Sequence, residues 1–84
     1  MKEPTERQTL LIVDDEPTNI QALARLMHED YQVLVAGSGT KALEVAAGEV
    51  VPDLILLDIQ MPDLDGFAVC RELKRDPRTN SIPV

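Results

Sequence analysis

Three short aliphatic runs alternate with segments of helical periodicity, and this alternation restricts the chain to few folds. The runs are Leu10–Val13, Val33–Ala36 and Leu54–Leu57. The first run does not alternate apolar with polar residues and predicts a strand buried on both faces, as in parallel sheets. The third predicts another buried strand, and the second is rich in residues that favour strands. Between the first two runs, apolar residues recur at helical spacing at Ile20, Leu23, Ala24 and Met27. Strands that alternate with helices in this way predict an α/β fold, a doubly wound parallel sheet with helices on both faces.

The same patterns give approximate bounds for the elements. The predicted order is strand 1 (9–14), helix 1 (17–29), strand 2 (33–36), helix 2 (apolar at 42, 43 and 46, ending at Gly48), strand 3 (54–58), helix 3 (capped by Asp65, ending near Arg75) and the start of a strand 4 (82–84). A chain of 84 residues has room for one small domain. We therefore predict an N-terminal tail over residues 1–8 and a single domain over residues 9–84.

The composition argues against several classes of function. Lys and Arg number 8 against 15 Asp and Glu, a formal net charge of −7, and only one Phe and one Tyr can stack on bases, so direct nucleic-acid binding is not expected. One Cys and one His build neither a disulfide framework nor a four-ligand zinc site. The aliphatic runs are far shorter than the roughly 18 residues of a membrane span, and no apolar leader follows Met1. We therefore expect a cytoplasmic protein that binds no membrane.

Acidic residues follow two of the predicted strands. Asp14 and Asp15 end the first strand, and Asp58 ends the third. Ligand sites of such sheets lie beyond the carboxyl ends of the strands, and neighbouring strands are about 4.8 Å apart. If these two strands are neighbours, the three carboxylates converge and can hold a hard divalent cation such as Mg²⁺. A carboxylate beside such a cation can attack phosphorus. The alternative is that these acids only favour a helix N-terminus and end a strand.

Three segments together resemble the receiver domain of two-component response regulators. They are Leu11–Glu16, Leu56–Asp58 and Met61–Gly66, which occur in the family's order and on the corresponding elements. The resemblance covers about residues 9 to 84. It implies a flavodoxin-like sheet with strand order 2-1-3-4-5 in the complete family fold. It also implies a signalling module that accepts a phosphoryl group and is not itself an enzyme.

The resemblance assigns a role to each residue of the site. Asp58 would be the phosphoacceptor, and Asp14 and Asp15 would hold Mg²⁺, or Mn²⁺, together with Asp58 and the backbone carbonyl of Gln60. The phosphodonor would be a phosphohistidine on a sensor histidine kinase. An output domain in a longer chain would then respond to the modification.

The sequence departs from the family at its C-terminal end. Family members carry a Ser or Thr at the end of strand 4 and a Lys at the end of strand 5, and this sequence ends at Val84, before both. We therefore expect a fragment of a longer regulator, the alternative being an unusual truncated protein. The missing strand and helices would leave sheet surface uncovered, which predicts dimers or strand exchange.

Two enzyme-class alternatives remain open on the residues alone. The segment 37–42 fits the G-x-G-x-x-A pattern of Rossmann-like nucleotide-binding turns, with Asp58 at the next strand end. The segment Asp14–Thr18 approaches the D-x-D-x-T nucleophile motif of haloacid-dehalogenase-type phosphatases, with Glu16 in place of the second Asp. A nucleotide titration tests the first alternative. The second would place the phosphoryl group on Asp14 instead of Asp58.

Overall fold

A computed structural model describes residues 7–58 and 66–84, and this part of the chain forms three strands and three helices. In chain order the elements are β1 (Gln8–Val13), α1 (Pro17–Met27), β2 (Tyr31–Ala36), α2 (Gly39–Ala46), β3 (Leu54–Leu57) and α3 (Gly66–Arg75). The strands form one parallel sheet in the order β2-β1-β3. This confirms the predicted α/β class and the adjacency of the first and third strands.

The central strand β1 is the most buried of the three strands because it has a partner strand on each edge. β1 pairs with β2 from Gln8↔Tyr31 onward and with β3 from Leu10↔Leu54 onward. The sheet face that packs against α2 and α3 contributes to a core of buried residues, namely Leu11, Val13, Ala36, Ala42, Ala46, Ile55, Val69, Leu73 and Ile82. By strand alternation, Leu10 and Ile12 point to the opposite face, against which α1 packs. The sheet therefore has helices on both faces.

Several element bounds differ from the prediction for identifiable local reasons. β2 begins at Tyr31, two residues early, because it pairs with the first residues of β1. α1 ends at Met27, and the N–H of His28 donates to the carbonyl oxygen of Ala24 at 2.9 Å. α2 ends at Ala46, two residues before the predicted Gly48, and it begins at Gly39, where the Oγ of Ser38 accepts the Lys41 N–H at 3.1 Å and caps the helix.

The predicted start of a fourth strand is wrong as a strand assignment. Residues 82–84 are not a strand in the described part of the chain. They nevertheless run along the outer edge of β3, where the N–H of Ile55 donates to the carbonyl oxygen of Pro83 at 3.0 Å. One hydrogen bond does not make a ladder, so the position is strand-like and the pairing is not regular.

A polar network holds the segment after α3 in that position. The hydroxyl of Thr79, which is 1% exposed, donates to the carbonyl oxygen of Leu73 at 2.6 Å. Lys74 Nζ donates to the carbonyl oxygen of Ile82 at 2.7 Å. The first bond satisfies a carbonyl that the end of α3 would otherwise leave unpaired. The second holds the backbone of Ile82, whose side chain is part of the core.

None of the helices in the described ranges combines the length and the apolar composition that crossing a bilayer requires.

Candidate acidic site at the carboxyl edge of the sheet

Three carboxylates converge where β1 and β3 end. Val13 and Leu57 are register partners, and the N–H of Asp58 donates to the carbonyl oxygen of Val13 at 2.9 Å. The chain therefore leaves both strands at the same level. One carboxylate oxygen from each of Asp14, Asp15 and Asp58 lies within 4.8 Å of the other two. The convergence that was conditional on neighbouring strands is present in the structure.

The register that aligns these strand ends is also fixed at the opposite edge of the sheet. There the N–H of Thr9 donates to Oδ2 of Asp53 at 2.7 Å, and the N–H of Asp53 donates to the carbonyl oxygen of Thr9 at 2.8 Å. A one-residue slip of β3 would break both bonds and turn its side chains to the wrong face. This pair therefore helps to hold Asp58 opposite Asp14.

The carboxylate of Asp14 accepts two hydrogen bonds from the start of α1. Its Oδ1 accepts the backbone N–H of Glu16 at 2.9 Å, and its Oδ2 accepts the side-chain amide of Asn19 at 3.3 Å. Asp14 and Asp58 are half-buried, whereas Asp15 is exposed. Asp14 thus stabilises the turn that leads into α1, which is the purely structural role considered for it above. Its carboxylate also faces the other two carboxylates.

The chemistry of the cluster fits a hard divalent cation. All three donors are carboxylate oxygens, the ligand type that Mg²⁺ and Mn²⁺ prefer. The cluster carries a formal charge of −3 in its ionised form, and a divalent cation would offset the mutual repulsion of these groups. The residues present therefore suit the cation that the sequence predicts.

A groove of about 440 Å³ opens beside the carboxylates, between α1 and β3. Asp14, Asn19 and Asp58 line its polar end. Its apolar end is lined by side chains of the sheet and of α1, namely Ile12, Val13, Leu23, Leu56 and Leu57. We call this feature the α1 groove. It offers room for a small polar group next to Asp58 and leaves part of the sheet face accessible.

Some expected residues lie outside the described part of the chain. These are Gln60, the segment 61–65 of the third motif, and with it the proposed cap Asp65. Gly66, the last residue of that motif, is the first residue of α3. The role of Gln60 as a carbonyl ligand stays a prediction.

Asn19 is a site residue that the sequence motifs did not single out. It lies in the first turn of α1, five residues after Asp14, where a helical residue can point back toward the strand end. The available signal was an amide side chain in the helical turn that directly follows two acids.

The strand order does not support the nucleotide-binding alternative. That pattern needs the glycine turn and the acidic strand end on adjacent strands. Here the turn at 37–39 follows β2 and Asp58 follows β3, with β1 between them. The Oγ of Ser38 is occupied in capping α2. The glycines therefore serve a strand-to-helix turn.

Comparisons with known proteins agree with this geometry. The family model described as "Response regulator receiver domain" matches residues 10–84. The response regulator PleD of Caulobacter vibrioides is 51% identical over 76 residues, a match that covers 89% of this chain and 16% of that protein. The chain thus spans about a sixth of the length of this relative.

Solved structures give the same result for the fold. The N-terminal domain of a response regulator receiver protein from Methanoculleus marisnigri superposes with a TM-score of 0.86 at 37% identity, over 92% of this chain and 63% of that one. The receiver domain of sensor histidine kinase PA1611 from Pseudomonas aeruginosa, described with a magnesium ion coordinated in its active site cleft, gives 0.83 at 28% identity, over 92% and 63%. The architecture is therefore that of the flavodoxin-like receiver fold.

Proposed function

The chain belongs to the response regulator receiver domain family, and on that premise we propose that it accepts a phosphoryl group on Asp58. The observation that carries the proposal is the convergence of Asp14, Asp15 and Asp58 at the carboxyl edge of β1 and β3. Asp58 lies 44 positions after Asp14 in the sequence (58 − 14 = 44). Neither capping a helix nor ending a strand requires acids from such distant segments to converge. It is what phosphoryl transfer assisted by a divalent cation requires.

Each acid has a role that its surroundings support. Both oxygens of Asp14 already accept hydrogen bonds, which favours a fixed ligand over an attacking nucleophile. Asp58 lies at the end of β3 in the α1 groove, where its backbone is held by the bond to Val13 and a phosphodonor can approach. We assign cation binding to Asp14, Asp15 and Asp58, with the Gln60 carbonyl as a further proposed ligand, and nucleophilic attack to Asp58.

The proposed reaction moves one phosphoryl group between two side chains. An oxygen of Asp58 forms the new O–P bond while the P–N bond of the phosphohistidine breaks. The imidazole nitrogen leaves with the bonding electron pair and takes up a proton. When bound, the divalent cation supplies positive charge that offsets the phosphoryl oxygens and the carboxylates. Asp14 and Asp15 would hold that cation together with Asp58.

The proposed partner is a sensor histidine kinase, and the exchange is proposed to occur in the cytoplasm. The chain then serves as a phosphoacceptor whose state is read by an output domain in a longer protein. The share of PleD that the chain covers supports this arrangement, since a receiver is a small part of that relative.

The direct test is to locate the phosphoryl group. The native chain that contains these residues is incubated with Mg²⁺ and acetyl phosphate, and the modified residue is identified by mass spectrometry. We expect the modification on Asp58 and its loss in Asp58→Asn, because asparagine keeps the shape but is not a nucleophile. Asp30→Asn, the same change at an exposed acid outside the cluster, should be modified like the wild type.

Other outcomes would contradict the assignment. A phosphoryl group found on Asp14 would favour the phosphatase-type alternative. Modification that persists in Asp58→Asn would show that another residue is the acceptor.

Cation binding is tested separately by titration with Mg²⁺ or Mn²⁺, followed by calorimetry or NMR. Asp15→Ala should weaken binding strongly, because Asp15 contributes one of the three charges of the cluster. Asp30→Ala should bind like the wild type. Equal binding by the wild type and Asp15→Ala would remove the cation site from the proposal.

A further inference from the structure

We propose that Asn19 is a positioning residue for the cation site, acting through Asp14. The side-chain amide of Asn19 would hold the Asp14 carboxylate in the orientation that faces Asp58. This inference rests on the proposed function, because it concerns how one of the proposed ligands is presented to the cation.

Asn19 is the donor in the hydrogen bond between Asn19 and Asp14. Asn19 Nδ2 lies 3.3 Å from Asp14 Oδ2, and a carboxylate can only accept, so the amide group is the donor. Asn19 and Asp14 line the polar end of the α1 groove together with Asp58. The amide thus approaches Asp14 from the side of the groove where the proposed transfer takes place.

The donor residue Asn19 lies on a regular helix. Asn19 is the third residue of α1, after Pro17, and the first turn is closed by the bond from the N–H of Ile20 to the carbonyl oxygen of Glu16 at 3.1 Å. Proline is favoured at this first helical position, where its fixed φ suits the helix. A donor on a helix is held more precisely than one on a loop.

Two hydrogen-bond donors fix the plane of the Asp14 carboxylate, which a single donor would leave free to rotate. The Glu16 N–H holds Oδ1 of Asp14 at 2.9 Å, and with that bond alone the carboxylate plane can still turn about its Cβ–Cγ bond. The second bond, from Asn19 to Oδ2, sets the plane. A ligand whose plane is set loses less freedom when the cation binds, so the affinity for the cation is higher.

The expected size of the effect is modest. Loss of a hydrogen-bonding partner of a metal ligand typically weakens metal binding by about 10- to 100-fold. Here the bond is long and exposed, so we expect a weakening of about 3- to 10-fold, at or below the lower end of that range.

Asn19→Ala separates positioning from a general structural role. Alanine has a higher helix propensity than asparagine, so the variant should be as stable as the wild type or more stable. We expect Mn²⁺ affinity, measured by calorimetry on the native chain, to fall about 3- to 10-fold while the unfolding midpoint stays or rises. Asn19→Gln keeps an amide donor and should recover most of the affinity. Gln21→Ala, an exposed polar position on the same helix, should leave the affinity unchanged.

Each contrary outcome has a distinct meaning. If Asn19→Ala binds Mn²⁺ like the wild type, or if Asn19→Gln is as weak as Asn19→Ala, the positioning role is overturned. If Asp15→Ala also binds like the wild type, the cation site itself fails and the proposed function loses its basis. Loss of binding in Asp15→Ala with normal binding in Asn19→Ala overturns only the role of Asn19.

Discussion

Replacing Asp58 by asparagine should stabilise the fold in the absence of divalent cations, although it removes the proposed phosphoacceptor. One carboxylate oxygen from each of Asp14, Asp15 and Asp58 lies within 4.8 Å of the others, so the ionised groups repel each other in pairs. Two of the three pairs include Asp58. Asparagine has nearly the same shape and no charge, so Asp58→Asn removes both of these repulsions and creates no cavity.

The geometry sets the size of the effect. Two unit charges 4.8 Å apart repel each other by about 0.9 kcal/mol in water, and about 0.1 M salt reduces this by roughly a third. Relief of two pairs therefore raises the free energy of unfolding by about 1 to 2 kcal/mol. Half-burial of Asp58 lowers the local dielectric constant, which makes the relief larger.

The assay is urea denaturation of the wild type and Asp58→Asn, each in EDTA and in excess Mg²⁺. At a Mg²⁺ concentration ten times its dissociation constant, binding adds about 1.4 kcal/mol to the stability of the wild type. The variant should gain much less, because it has lost one charge of the cluster. The advantage of the variant in EDTA should therefore shrink or reverse when Mg²⁺ is added.

The control is a charge deletion away from the site. Glu49 is exposed, so Glu49→Gln should change the free energy of unfolding by less than about 0.5 kcal/mol, both in EDTA and in Mg²⁺. The reasoning is refuted if the wild type and Asp58→Asn are equally stable in EDTA. It is also refuted if Mg²⁺ stabilises both proteins by the same amount.

Other parts of the structure lead to three more predictions. Thr79→Val should lower the free energy of unfolding, measured in urea, by about 1 to 3 kcal/mol, because the buried carbonyl of Leu73 loses its hydroxyl partner. Thr79→Ser keeps the hydroxyl and should retain most of the stability. Equal losses of stability in the two variants would argue against a role for this hydrogen bond. The hydrogen-bonded Arg78 guanidinium lowers the pKa of Asp76, so the stabilisation from Asp76 is present at neutral pH and should be lost as the pH falls through its lowered pKa. A pH series should show a shallower acid loss for Asp76→Asn, and an unchanged profile would contradict the prediction. The 84-residue chain should form dimers through the apolar part of the α1 groove, or exchange strands at the sheet edge around Ile82 and Val84. Sedimentation showing a concentration-independent monomer, together with protected amides in β1 and β3, would disprove this.

Local sequence patterns predicted the three strands and three helices of the described residues and the acids at two of the strand ends. Aliphatic runs such as Leu10–Val13 and Leu54–Leu57 indicate strands because burial on both faces requires apolar residues at every position. Helical spacing of apolar residues likewise predicted α1, to within two residues at its end. Each of these signals depends on residues within one element. For the same reason the sequence alone placed Asp14, Asp15 and Asp58 at strand ends.

The way in which these elements meet is a property of the tertiary structure. The position of β1 between β2 and β3 brings Asp58 to Asp14 and separates it from the glycine turn after β2. The strand prediction at 82–84 failed because a strand is defined by its ladder, and that segment makes a single bond of this kind to β3. The contact of Asn19 with Asp14 depends on where α1 begins and how it leaves the sheet. Pairing between distant segments depends on the packing of the whole chain, which a local pattern does not contain.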